Sequence, residues 1–444
     1  MIPKKNGYPI GSLLQFSPCI IFLVVYCSLF YYMLYTKNIF HSQAIIFAGL
    51  PLFATFVATV YACFTFKNPL NINEKIKIFL SGAAHVTAMN YYFNIIFIAI
   101  FNYMMAKTNG VLTAVTLGLL YIPTTWIMPI MFLMASIFSI LISSQLTSTL
   151  ICIPIAYGIA QSLHINTAFM TATIISGALF GAHISLYFKN IALTDHFNVK
   201  NIFQKTYWFI IAAGTSTLLI LSQYQCQEIH PTVYNYLQTS IIPQSYITIL
   251  PYCCLLLTRY LKINLLVNLV IANCLALIIN ITLNKILFLD AIATMFSGFY
   301  KDSMIVTILF LHLLLAGLTK IIQYNGGFIY MIENLKIKEN QTTSKVQASI
   351  ILITMITNIC IIIDRICLSL LTQPIKQYAH RYNITQNKIT SLLYITTTTM
   401  QSILPYATIM FITINITQSS YIEIIQYMIY PGLLATLTTI SIFI

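Results

Sequence analysis

Residues 350–374 read IILITMITNICIIIDRICLSLLTQP, a run with the length and apolarity of a membrane-spanning helix that carries Asp364 and Arg365 side by side. A charge near a bilayer centre costs roughly 2.5–3.5 kcal/mol on insertion scales, so such residues face a cavity or a partner. Successive helical residues point about 100° apart, so these two cannot satisfy each other unless the helix is broken between them and their neighbours. Helical spacing puts Thr357, Cys360, Asp364 and Cys367 on one face, with Asn358 and Arg365 on the face beside it. One reading is a structural ion pair that locks a helix bundle. The other, adopted as the expectation, is a polar track lining the path of a solute.

Composition decides what surrounds this stretch. The chain has 444 residues, 59% hydrophobic and 7% charged. Soluble domains carry about 25% charged residues, so a water-facing surface cannot be covered. Only helices and closed barrels span lipid, and long apolar runs without period-2 alternation select helices. The expected fold class is an all-α polytopic membrane protein with about 11–13 transmembrane helices at about 20 residues each. The formal charge of +13 reads as the positive-inside bias of cytoplasmic loops. The basic residues cluster in connectors at 67–77, 200–205, 336–345 and 376–388. No soluble basic domain exists to bind nucleic acid. The ten cysteines include no C-x-x-C pair, which argues against a metal centre or a disulfide framework. No nucleotide-binding or zinc-protease motif is present, so no cofactor and no enzymatic reaction are expected. His85 and His312 read as packed helix histidines. No cleavable signal peptide is expected, because the first apolar run, 10–34, exceeds an h-region and lacks a small-residue cleavage site.

Along the chain, further apolar spans are expected at 44–66, 151–163, 167–188, 207–221, 247–261, 265–281, 303–321, 391–414 and 421–444. Residues 78–106 are apolar but interrupted by Ser81, Gly82, His85 and Asn90, which suggests a short or re-entrant piece before a span. The region up to residue 142 is divided at Pro123 and Pro129. Then come Ser143, Ser144, Gln145, Leu146, Thr147, Ser148 and Thr149, six polar side chains in seven residues. Such a run suits an unwound helix at membrane depth, whose carbonyls and hydroxyls line a cavity. Hydroxyls bonding back within an ordinary helix are the alternative.

The halves repeat. Asn109-Gly110 resembles Asn325-Gly326, an offset of 216 (325 minus 109). Pro154, Ala160 and Ile165 match Pro374, Ala379 and Ile384 at offsets of 220, 219 and 219. The division expected is a first half, 1–222, a polar linker, 223–245, and a second half, 246–444. Duplicated halves with interrupted segments are a signature of secondary transporters whose site lies between the repeats. The repeats are expected to be inverted, with Pro154 paired to Pro374, and the 143–149 run is expected to meet the Asp364–Arg365 region.

Several motifs carry a family resemblance. GALFGAHIS at 177–185 resembles the GAMFGDNLS segment of NhaC-type sodium/proton antiporters. QYNGG at 323–327 is similar to the family's KYNGG. Pro374-Ile375 with 382–393 resembles GPIAKDIA…YGIDPRRSASLLD, and QSILPY at 401–406 resembles QGLIPYG. The likeness covers residues 90–194 and 303–416. It departs from the family at the acids. Ala182 and His183 stand for the Asp-Asn of GAMFGDN, Lys189 falls in the Ser-Asp-Thr-Thr segment, and Tyr394 replaces the Asp of SLLD. Of the family's carboxylates only Asp364 remains.

The resemblance implies a secondary active transporter in the cell membrane, a divergent sodium/proton antiporter with sodium, protons and the lipid bilayer as partners and homo-oligomerisation open. Asp364 is the expected proton- or cation-binding carboxylate. Ser143, Ser144, Gln145, Thr147 and Thr149 would add neutral oxygens, and Thr396–Thr399, Thr397 included, with Gln401 the opposite wall. Asn358 and His183 complete the set. Asp364 is expected within about 4 Å of Lys189, or failing that Arg365, as an ion pair that offsets burial of both charges. The same fold could instead serve an organic-anion carrier that holds a carboxylate with Lys189 and Arg365. A third reading is a transport-inactive membrane interaction component.

Overall fold

The computed structural model describes residues 4–5, 8–9, 13–35, 43–65, 71–188, 204–224, 243–300, 303–334, 342–361, 363–380, 382 and 384–443. A two-residue antiparallel pair, β1 (Lys4–Lys5) with β2 (Tyr8–Pro9), precedes the helices. The first half runs α1 (Leu13–Tyr35), α2 (Gln43–Thr65), α3 (Ile72–Ala83), α4 (Val86–Lys107), α5 (Gly110–Tyr121), α6 (Ile127–Ile142), α7 (Gln145–Ser162), α8 (Thr167–Phe188) and α9 (Gln204–Ser222). The second runs α10 (Leu250–Tyr260), α11 (Leu265–Asn284), α12 (Phe288–Tyr300), α13 (Ser303–Tyr324), α14 (Gly327–Asn334), α15 (Thr343–Cys360), α16 (Asp364–His380), α17 (Gln386–Ile403), α18 (Thr408–Thr417), α19 (Tyr421–Gln426) and α20 (Ile429–Phe443). A 3-10 turn, Pro243–Ile249, leads into α10.

This is an all-α polytopic membrane protein. Among the described residues seven helices are long and apolar enough to cross a bilayer, and α3 with α4 forms an eighth candidate bent by 54°. The bend falls at the interruption expected from the sequence, where His85 caps α4 by accepting from the Thr87 amide at 3.3 Å. Four shorter apolar helices accompany them.

Several boundaries differ from the sequence reading. Lys75 and Lys77 lie in α3, whose Asn71–Glu74 capping box starts a helix inside the expected connector. Pro129 sits in the first turn of α6, where a missing N–H costs no helical bond, so only Pro123 divides that region. The stretch 350–374 is two helices, α15 and α16, with Asp364 opening the second. Residues 391–414 likewise break at Leu404–Ala407, around Pro405. Helices α12 and α14 lie outside the expected spans.

The order of elements repeats. Subtracting residue numbers, α13 begins 217 after α4, α14 begins 217 after α5, and α16 and α17 begin 219 after α7 and α8. Pro154 lies inside α7 and Pro374 inside α16, the helices that follow the two breaks. The turn between α4 and α5 uses Asn109 at φ 59°, and its counterpart uses Gly326 at φ 79°. The equivalence therefore falls on Gly326 rather than Asn325, because the turn needs a residue that tolerates left-handed backbone.

Packing follows the same symmetry and crosses the sequence division at the linker. Helices α2 and α3 pack on α13, while α11 and α12 pack on α4. Gly82 of α3 meets Lys320 and Gly298 of α12 meets Tyr103, two contacts whose corresponding members, glycine to glycine and Lys320 to Tyr103, are offset by 216 and 217 residues (298 minus 82, 320 minus 103). One core joins α4–α9 with α10–α13 and the C-terminal helices, a second joins α1 and α2 with α13–α17, and a small third one, Ala88, Tyr92, Ala316 and Ile363, links α4 and α13 to the second break. Most of the linker at 223–245 lies outside the described residues.

Candidate functional site

Two interruptions made by different local chemistry form the centre of the site. After α6, Ser143 turns left-handed at φ 57° and Ser144 is extended at φ −150°. Ser144 Oγ accepts from the Thr147 amide at 3.3 Å, and Ser148 Oγ donates to the Ser144 carbonyl at 2.8 Å. The break is thus two residues long, not seven. Once Ser144 caps it, Gln145, Thr147, Ser148 and Thr149 belong to the first turns of α7. The second break lies between α15 and α16, where Ile361 is extended and Asp364 begins the new helix. Its carboxylate Oδ1 accepts from the Arg365 amide at 2.7 Å.

Both breaks line one cavity of about 70 Å³, with room for two or three waters at roughly 30 Å³ each. Ser143 and Ser144 come from the first break, Gln145 and Thr147 from the first turn of α7 after it, and Asp364 and Arg365 from the first turn of α16 after the second break. Gln401 and Thr398 of α17 form another wall, while Thr396, Thr397 and Thr399 do not line the cavity. Tyr394 also lines it. Sequence reasoning missed the wall from α4, made by Thr87, Tyr91 and Asn94. Asn90 drew attention only as an interruption, and the helical register of Thr87, Tyr91 and Asn94 was the available signal.

Four expected residues stand behind the cavity. His183 is fully buried between Thr398 Oγ1 at 2.8 Å and the Tyr430 hydroxyl at 2.9 Å. Asn358 donates to the Thr354 carbonyl at 2.7 Å and to Thr397 Oγ1 at 3.2 Å, so both belong to a buried α15–α17 contact. Thr149 is buried on α7 and its hydroxyl has no partner. None of these four lines the cavity. Lys189 lies outside the described residues, so its expected pairing with Asp364 does too. The Arg365 alternative is not formed: among the described residues Arg365 meets Asp364 through its backbone amide, because Asp364 stands at the first turn of α16, where free N–H groups face the carboxylate.

Behind the walls, hydrogen bonds have a fixed sense. The Tyr91 hydroxyl lies 2.7 Å from Thr408 Oγ1, which lies 2.8 Å from His312 Nε2. His312 Nδ1 is 2.6 Å from the Ile308 carbonyl. His312 is packed within the bundle, as expected, but it also supports a cavity wall. From the other side, Gln145 Nε2 donates to Ser402 Oγ at 2.5 Å, tying the first break to α17.

Helix α8 fits tightly on α6. A Cβ on Gly177 would lie 2.3 Å from the Phe132 carbonyl oxygen, and one on Gly181 would lie 2.2 Å from that of Ser136. The Ser136 hydroxyl donates across the contact to the Gly177 carbonyl at 2.9 Å. The glycines of GALFGA therefore serve close helix approach, as small residues do in membrane bundles.

No protein-family model matches the chain, and no curated protein matches it.

Proposed function

We propose that the chain is a secondary active transporter that binds its solute where the two helix breaks meet. The observation that carries this is the shared cavity: breaks at equivalent places in two repeats supply Ser143–Ser144 and Asp364 to one wall system. Broken helices free backbone and side-chain oxygens at membrane depth, and repeat-related elements can rock about a site between them. The motif resemblance to NhaC-type antiporters supports sodium/proton exchange in the cell membrane, with Asp364 as the alternately cation- and proton-loaded carboxylate. Sodium- and pH-gradient-driven flux in everted vesicles tests the reading. Wild type is expected to exchange and Asp364→Asn to lose coupled exchange; flux in neither direction from wild type would refute it.

A second reading has its own observation. Arg365 lines the cavity, and among the described residues its guanidinium has no carboxylate partner. The N-termini of α7 and α16 also reach that cavity, and helix N-termini favour negative charge. An organic-anion carrier would use these features, with uptake of a labelled carboxylate as its test.

A further inference from the structure

We propose that the cavity takes a small zwitterion, a molecule carrying a protonated amine and a carboxylate a few bonds apart, as the shortest amino acids do. This rests on the transport reading and names its substrate class.

The first ground is the charge on the walls. Asp364 and Arg365 both line the cavity, yet among the described residues they are not joined by a side-chain ion pair. As successive residues of one helix they diverge by about 100°. The cavity thus holds a negative and a positive group that do not neutralise each other directly.

The second ground is the sense of the hydrogen bonds. The Ile308 carbonyl can only accept, so a neutral His312 carries its proton on Nδ1 and accepts at Nε2 from Thr408. Thr408 has then spent its one proton, so Tyr91 donates to it. The Tyr91 oxygen is left with lone pairs only for the cavity. Ser402 spends its proton on the Thr398 carbonyl at 3.1 Å, so it must accept from Gln145 Nε2. In this arrangement Gln145, 7% exposed, turns Oε1 away from Ser402, and this oxygen is buried without a partner. Asn94 Oδ1 is likewise buried without a partner. Tyr91 therefore offers an acceptor to the cavity that Asp364 also lines, while the Gln145 and Asn94 oxygens are closed off behind the wall.

An ammonium group has three donors and no acceptor, which suits that wall; a carboxylate suits the planar fork of Arg365. A bare cation would leave Arg365 without a counter-charge. A bare carboxylate would bring a second negative charge into the cavity that Asp364 lines. The cavity, about 70 Å³, has room for a small molecule of this kind.

The test is counterflow of radiolabelled glycine in proteoliposomes holding the purified full chain, beside a sodium-flux arm on the same vesicles. Alanine is expected to compete, while methylamine and acetate, each carrying one of the two charges, compete about tenfold less well, the factor for a difference of about 1.4 kcal/mol. Arg365→Gln is expected to bring methylamine level with glycine, and Asp364→Asn to bring acetate level with glycine. Should either variant fail to elute as a folded species, Tyr91→Phe removes one acceptor and is expected to raise the KM for glycine severalfold. Sodium flux without glycine counterflow, or methylamine competing as well as glycine, would overturn the zwitterion site and leave the transport reading standing. Vesicles that pass neither solute would overturn both.

Discussion

Gln145 and Ser402 are joined by a 2.5 Å hydrogen bond that ties the first helix break to α17, 257 residues away. Because Ser402 already donates to Thr398, the bond also holds the Gln145 amide with its oxygen free. Replacing Ser402 by Ala removes the acceptor and lets the amide turn. A net hydrogen bond is worth about 0.5–1.5 kcal/mol, so the fold should survive. The KM for the transported solute is expected to rise severalfold with maximal flux changed less, and Ser402→Thr should restore it. An unchanged KM in Ser402→Ala would show that the Gln145 orientation is irrelevant to binding.

The glycine pair at the repeat contacts makes a symmetric prediction. A Cβ on Gly82 would lie 2.4 Å from Lys320 Cβ and 2.6 Å from the Ala316 carbonyl oxygen; one on Gly298 would lie 2.5 Å from Tyr103 Cβ. These are atoms close to or in the backbone, so the helices must separate. Each Gly→Ala change is expected to destabilise the protein by about 1–3 kcal/mol. Gly49 on α2 has nothing within 4 Å of its built Cβ, and Gly49→Ala should be neutral or stabilising by up to about 1 kcal/mol. Thermal denaturation in detergent reads all three. Equal melting temperatures for Gly82→Ala and Gly49→Ala would contradict the close approach of α3 to α13.

What could be read beforehand follows from where the signal is local. Apolar run length marked the spans, and the polar residues Ser143 and Ser144 marked the first break, because a helix end must satisfy its free amides nearby. The second break has no such chemistry: Ile361 and Ile363 flank it, and only the charges at Asp364 and Arg365 signalled it. The repeat was visible at Pro154 and Pro374, but its exchange of packing partners, α3 with α13 and α12 with α4, depends on contacts such as Gly82–Lys320 and Gly298–Tyr103, 238 and 195 residues apart in sequence (320 minus 82, 298 minus 103). The α4 wall was hidden for the same reason. Tyr91 looks like any aromatic residue in an apolar helix until Thr408 and His312 are placed beside it.

The GALFGA glycines test whether that motif is a binding element or a packing one. Gly177→Ala would drive a methyl group to within 2.3 Å of a backbone oxygen on α6. It is expected to lower stability by about 1–3 kcal/mol or to prevent folding. Gly118→Ala meets only the end of the Ile159 side chain, at 3.1 Å, and should be tolerated. A Gly177→Ala protein with wild-type melting but no flux would give the motif a direct role in the site.

Arg259 offers the last test, at the other side of the first break. Its Nη2 donates to the carbonyl of Ile142, the last residue of α6, at 3.1 Å, and its Nη1 donates to the Ile263 carbonyl. A cation at a helix C-terminus complements the helix dipole, and each hydrogen bond from a charged donor is worth about 1.5–3 kcal/mol. Arg259→Leu would leave the Ile142 carbonyl without this donor just where the chain turns into Ser143. The expected result is a loss of about 1.5–3 kcal/mol and faster hydrogen exchange at the Ser143, Ser144 and Thr147 amides. Arg259→Lys keeps the charge but cannot span two carbonyls with one planar fork, so it should recover only part of the protection. Full protection of those amides in Arg259→Leu would show that the break holds its shape without the guanidinium.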